Sequence, residues 1–176
     1  MRFFFFLSTF FYSCANDPEL VNEFVLPENH PIEQIKQAEI LHTENGVLKV
    51  KIIAGAIQRF DNDNPLIFFS GGVEVTFYND QGIMQSTLIA VKAEVDEENN
   101  KMIAKNNIIL TSSKGKTLET EELIWDEVTD KIYTDKEVII TTKKELIQGT
   151  GFESNSDFSK YTISNIKGVF SFENLD

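Results

Sequence analysis

Cysteine is almost absent from this chain: one residue in 176. That excludes an internal disulfide framework and any zinc site built on cysteines. Histidine is nearly as scarce. His30 and His42 stand about a dozen residues apart with no acidic partner at ligand spacing, so they offer no metal-ligand set. Positive charge is short too, with 16 Lys and Arg against 28 Asp and Glu, a net charge of -12. A phosphate backbone is held by clustered cations, so nucleic acid is excluded as a partner. Loose electrostatic attachment to an anionic bilayer is excluded for the same reason. No nucleophile has a nearby His, no Gly-rich loop cradles phosphate, and no window of ten or more residues carries a helical period.

What is present begins with a membrane address. Met1-Arg-Phe-Phe-Phe-Phe-Leu-Ser-Thr-Phe-Phe-Tyr-Ser-Cys14 has one positive charge, an apolar run and a small residue before the cysteine. The run is about ten residues, too short to cross roughly 30 Å of hydrocarbon. Ser13-Cys14 resembles a bacterial lipobox, in which the cysteine becomes the lipid-modified first residue, although Phe11 stands where Leu is usual. The same segment also reads as a simple signal peptide or an uncleaved anchor. Several acyl chains on Cys14, at roughly 0.8 kcal/mol per buried methylene, give a lasting anchor facing an extracytoplasmic compartment. Residues 1–13 are thus read as a signal peptide and 14–38 as a tether. Pro18, Pro27 and Pro31 keep that tether extended, and a short helical patch is expected around Ile32 to Glu39.

Residues 39–176 form one domain, read as all-β. Glu44-Asn-Gly46 is a hairpin signal. Val47 to Phe60 is a strand with a bulge or bend at Gly55. Asp61 to Pro65 turns the chain, Leu66 to Phe69 is a short strand ended by Ser70-Gly-Gly72, and Val73 to Tyr78 follows with period two. Asn79 to Gly82 leads into Ile83 to Val95, and Asp96 to Asn100 turns again. Lys101-Met-Ile-Ala-Lys-Asn-Asn-Ile-Ile-Leu110 lies over Lys131-Ile-Tyr-Thr-Asp-Lys-Glu-Val-Ile-Ile140 without a gap. A repeat of about 30 residues marks stacked units, each too small to bury its own apolar face.

Large apolar residues recur at alternating positions: Phe60, Phe69, Val73, Val75, Phe77, Ile103, Ile108, Leu110, Tyr133, Val138, Ile140 and Phe152, followed by Phe170 and Phe172. They suit a closed core, and equally an apolar trough between two sheets. Patterning does not separate the two, because both want the same residues.

The order of Glu44-Asn-Gly46, Phe69-Ser-Gly-Gly-Val-Glu-Val75, Leu118 to Asp126, Lys131-Ile-Tyr133, Ile147-Gln-Gly-Thr-Gly-Phe152 and Asp157-Phe-Ser-Lys-Tyr161 resembles the LptC family. LptC is the membrane-anchored component of the lipopolysaccharide export bridge. The resemblance covers roughly Glu39 to Phe172 and rests on order and spacing more than on any one motif. It implies a twisted two-sheet antiparallel β-jellyroll of the OstA-like type, open along an apolar groove lined by the residues from Phe60 to Phe152 named above. It implies that lipopolysaccharide acyl chains pass through that groove, from an inner-membrane ABC transporter toward a periplasmic OstA-like bridge protein. Gly46, Gly149, Tyr161, Phe170 and Phe172 are the candidates for partner docking. Where the family often has a transmembrane helix, this chain has the lipobox-like Cys14, which puts it on the periplasmic side of the inner membrane with the outer membrane still open. No cofactor is implied.

Two other readings stay in view. Glu119, Glu121, Glu122 and Asp126 are carboxylates of the kind used in acid–base chemistry, though a charged strand face accounts for them better. A passive membrane-anchored lipoprotein with a closed β core would share both anchor and strands.

Overall fold

The computed structural model describes residues 31–60 and 67–172. Cys14, the signal segment, His30 and the turn expected at Asp61 to Pro65 lie outside the described residues. Ten strands follow one another: β1 Glu33–Glu44, β2 Val47–Arg59, β3 Ile67–Tyr78, β4 Met84–Ala90, β5 Lys92–Asp96, β6 Lys101–Ser112, β7 Thr117–Asp126, β8 Lys131–Thr141, β9 Glu145–Asn155 and β10 Tyr161–Ser171. Every pairing is antiparallel, and the order across the sheet is β1-β2-β3-β4-β6-β7-β8-β9-β10, with β5 also between β3 and β6. The two expected sheets are therefore two halves of one continuous sheet.

A line of irregularities divides the halves. The register shifts between Ala54 and Ala56 in β2, Lys105 and Ile108 in β6, Glu119 and Ile124 in β7, Thr134 and Glu137 in β8, and Ile166 and Gly168 in β10. Val91 separates β4 from β5 at the same level. Bulges bend a strand and raise its twist, so a row of them folds the whole sheet across its strands. The repeat seen in the sequence carries this device with it. Asn106 and Asn107, both left-handed at φ 69° and 49°, fall over Lys136 and Glu137 of the second copy.

Inserting two residues preserves side-chain parity, so Met102 and Ala104 before the bulge face the same interior as Ile108 and Leu110 after it. The same side is buried in both halves, and one core results. Leu110, Leu118, Ile132 and Ile140 are fully buried within it, each worth roughly 1.5–3 kcal/mol of transfer free energy. On the outer face Thr76, Thr87, Thr111, Thr117 and Thr141 stand in register on neighbouring strands, a ladder of β-branched side chains that suits pleated backbone.

Several boundaries differ from expectation. The helical patch at Ile32 to Glu39 is instead the start of β1, because pairing with β2 from Glu33↔Arg59 onward overrides local propensity. The tether therefore gives way to the folded domain before residue 38. Ser70-Gly-Gly72 does not end a strand; β3 runs through it as a bend. Ile83 to Val95 is split in two at Val91.

Candidate functional site

Folding along the bulge line brings distant strands face to face. Phe77 of β3 meets Trp125 of β7 edge to face, with 5.3 Å between ring centroids. The Ser86 hydroxyl of β4 donates to the Ser156 carbonyl in the β9–β10 turn. Lys116, in the β6–β7 turn, donates from Nζ to the carbonyls of Phe158 at 3.0 Å and Ser159 at 3.3 Å. Toward the β1–β2 end the contact is looser, with His42 Nε2 3.8 Å from Glu127 Oε1.

The two ends of the fold are consequently unlike. At the β9–β10 end, Phe158 is wholly buried and packs on Phe152 and Tyr161 at centroid distances of 5.6 and 5.7 Å. The Lys116 ammonium lies over the rings of Phe158 and Tyr161 at 4.8 and 4.7 Å. Burial lowers the Lys116 pKa and raises that of the Tyr161 phenol. This end is plugged.

At the β1–β2 end the halves stand apart. Ile40, Val50 and Ile52 on one side and Ile67, Phe69, Val95, Met102 and Trp125 on the other enclose a cleft of about 440 Å³. Its mouth is polar, with His42, Glu97, Asn100, Lys101 and Glu127. A second, polar cleft of about 350 Å³ adjoins it through Val50, Trp125, His42 and Glu127, and extends over Lys49, Asp80, Asp130 and Asp157. Lys49 is engaged there by Asp80, whose hydrogen bond raises the lysine pKa and lowers that of the carboxyl. Trp125 thus stands between an apolar and a polar space. Its Nε1–H is buried and has no hydrogen-bond partner among the described residues.

Of the residues expected to line a groove, Phe69, Val73, Val75, Phe77, Ile108, Leu110, Val138, Ile140 and Phe152 do face one interior. That interior is mostly packed solid; of them only Phe69 borders the apolar cleft, and Phe77 borders the polar one. Three residues do not join the interior. Ile103 and Tyr133 point to the opposite face, each paired with Ile124, because period two from buried Met102 and Ile132 sends their side chains outward. Phe60 lies past the end of β2 against Phe68, 5.5 Å between centroids.

The docking candidates divide as well. Gly46 sits with Asn45 in the β1–β2 turn, at φ 79° and 50°. Phe170 and Phe172 are exposed, Phe170 lying in the edge strand β10 and Phe172 just beyond it. Tyr161 is half-buried and packs into the plug against Phe158. A Cβ on Gly149 would come within 2.7 Å of the Asn165 carbonyl oxygen, so this glycine lets β10 cross closely over β9. Trp125, Ile52, Met102 and Val95 were not singled out by sequence reasoning. Their signal was inward parity together with, for Trp125, being the sole tryptophan.

The carboxylates of β7 do not converge. Glu119 and Glu121 are exposed, Glu122 lies 3.6 Å from the Lys136 ammonium, and Asp126 accepts a hydrogen bond from the Thr129 amide. Among the described residues no group of three or more His, Cys, Asp or Glu is placed to hold a metal.

No curated protein matches the chain significantly. A family profile described as "Lipopolysaccharide-assembly, LptC-related" matches residues 8–171, nearly all of it. The chain, an all-β fold with an apolar cleft between its folded halves, belongs to the LptC family, whose periplasmic, inner-membrane-associated members take part in lipopolysaccharide transport.

Proposed function

We propose that this protein receives lipopolysaccharide from an inner-membrane ABC transporter, shelters its acyl chains between the sheet halves, and passes them to a periplasmic OstA-like bridge protein. The observation that carries the reading is the apolar cleft at the β1–β2 end, open at a polar mouth. Acyl chains crossing an aqueous compartment need a surface that removes them from water, and such a cleft does so without covalent chemistry. The plug at Phe158 closes the opposite end, so onward passage requires the halves to part where Lys116 and Ser86 hold the β9–β10 turn.

Handover fits the sheet edges. Among the described residues β1 and β10 end the strand order, and their edges offer unpaired backbone groups for β-augmentation by a partner's strand. Ile166, Val169 and Phe170 are exposed along β10, which favours this edge, with Phe172 beyond it, for the bridge protein. Gly46 belongs to the β1 end and Gly149 supports β10 from beneath. A lipidated Cys14 supplies the anchor in this reading.

The packed centre favours a second reading, a passive scaffold whose interior never admits lipid. Photo-crosslinking separates the two. Photoreactive residues at Ile52, Phe69 and Met102 in the cleft, and at Leu110 and Ile140 in the packed interior, are placed in membranes supplied with ATP. Time- and ATP-dependent crosslinks to lipopolysaccharide, first from the cleft and then from the interior, are the expected result. Silence at every position in folded, anchored protein establishes the scaffold instead.

A further inference from the structure

Trp125 is an expensive choice for where it stands. A buried indole normally finds an acceptor for its N–H, and Phe or Leu fills a core without that demand. Here Nε1 is sealed from solvent and unpaired among the described residues, while the ring borders the apolar cleft on one side and the polar cleft on the other. An amphiphile bridging these two spaces brings a particular group to the boundary: the root of its acyl chains, where hydrocarbon meets the first polar atoms.

The charge around the boundary narrows that group further. The polar cleft is lined by Glu44, Asp80, Glu127, Asp130 and Asp157, and Lys49, its one lysine among the described residues, is already paired with Asp80. A phosphate set among these carboxylates is repelled. A neutral acceptor is not.

We infer that Trp125 is the positioning residue for lipid in this cleft, its Nε1–H donating to an ester or amide carbonyl oxygen at the root of an acyl chain. This rests on the lipid-shelter reading above and adds which part of the lipid is held and by what atom. Chains entering the apolar cleft shift the indole from its edge contact with Phe77 and unseal Nε1 beside the carbonyl. Phosphates stay outside the polar cleft.

The test uses the full chain in dodecyl maltoside, a detergent without carbonyls. Two uncharged probes are compared: a glucose lipid carrying two acyl chains through esters, and a dialkyl counterpart in which both ester carbonyls are replaced by methylenes, leaving ethers. The wild type is expected to bind the acyl probe about 5-fold more tightly, the worth of one modest hydrogen bond. Emission from the sole tryptophan shifts to the red with that probe. Trp125→Phe is expected to bind both probes alike. Because preference is read as a ratio within each variant, a general loosening of the cleft by the smaller ring does not imitate the result. Binding with no preference in the wild type, or a preference that survives in Trp125→Phe, overturns the inference and leaves the lipid-shelter reading standing. If neither probe binds folded wild type, the lipid-shelter reading itself fails and takes this inference with it.

Discussion

The Lys116 ammonium lies 4.8 Å from the centre of the Phe158 ring and donates to the carbonyl of that same residue at 3.0 Å. One side chain from the β6–β7 turn thus holds the β9–β10 turn by both its backbone and its aromatic face. Phe158 has a left-handed backbone, φ 52°, rare for a bulky residue and sustained only where surroundings over-determine it. Lys116→Ala removes two hydrogen bonds and the cation contact to two rings. A loss of about 1–3 kcal/mol in urea unfolding is expected, together with faster amide exchange in the β9–β10 turn. Unchanged exchange there would mean that the plug is held by its aromatic packing alone.

Neighbouring residues of β6 give a sharper check on which side is the interior. Leu110 is fully buried and Ile109 is 42% exposed, although both read as apolar strand residues. Leu110→Ala is expected to cost about 3 kcal/mol, the transfer and cavity penalties together. Ile109→Ala should cost about 1 kcal/mol or less. Comparable losses, measured by denaturant midpoint at equal m-value, would contradict the assigned face.

That pair also shows how far the sequence could be read. The repeat from Lys101 to Leu110 and Lys131 to Ile140 carried the strands, and the interior parity of Ile108, Leu110, Val138 and Ile140 was visible in it. Ile103 and Tyr133 were not, because β6 and β8 carry apolar residues on both faces and size alone does not say which face is inward. β1 was hidden for another reason: its Glu, Gln and Lys residues are an exposed edge strand's composition, and its pairing to β2 is a tertiary fact. The apolar cleft was least legible. Its walls come from strands far apart in sequence, and a packed core and a cleft draw on the same amino acids.

Gly55 is where two strands nearly touch. A Cβ there would lie 2.6 Å from the carbonyl oxygen of Gly71, a backbone atom that cannot swing aside. Gly55→Ala is expected to lose about 1–3 kcal/mol and to loosen the fold line between the halves. Gly46→Ala serves as the contrast, since its Cβ meets nothing within 4 Å and only the left-handed turn at φ 79° resists it. The expected cost there is about 1 kcal/mol. Thermal unfolding of both variants measures the order; a smaller loss at Gly55 would show that the bend has room to widen.

The turns after β5 and β7 repeat one another, and this makes an acid-range expectation. Asp96 accepts hydrogen bonds from the side chain and backbone amide of Asn99 at 2.8 and 3.1 Å, and Asp126 accepts from the Thr129 amide at 3.0 Å. Chiefly through the Asn99 side chain for Asp96 and the Thr129 backbone for Asp126, both carboxyls are held below the ordinary value of 3.8. A depressed folded-state pKa stabilises the fold above the unfolded value and loses that stabilisation as pH falls through the folded one. Stability should therefore decline below 3.8 and continue to decline through the lowered pKa values. Asp96→Asn with Asp126→Asn removes the charge at both turns. The double variant is expected to be less stable than wild type at neutral pH, with a flatter acid limb and curves that converge as pH falls through the lowered pKa values. Urea midpoints taken across that range measure it. Parallel curves, offset by the same amount at every pH, would place the acid sensitivity elsewhere, with Asp80 and Glu137 the next carboxylates to replace because lysine partners lower their pKa values as well.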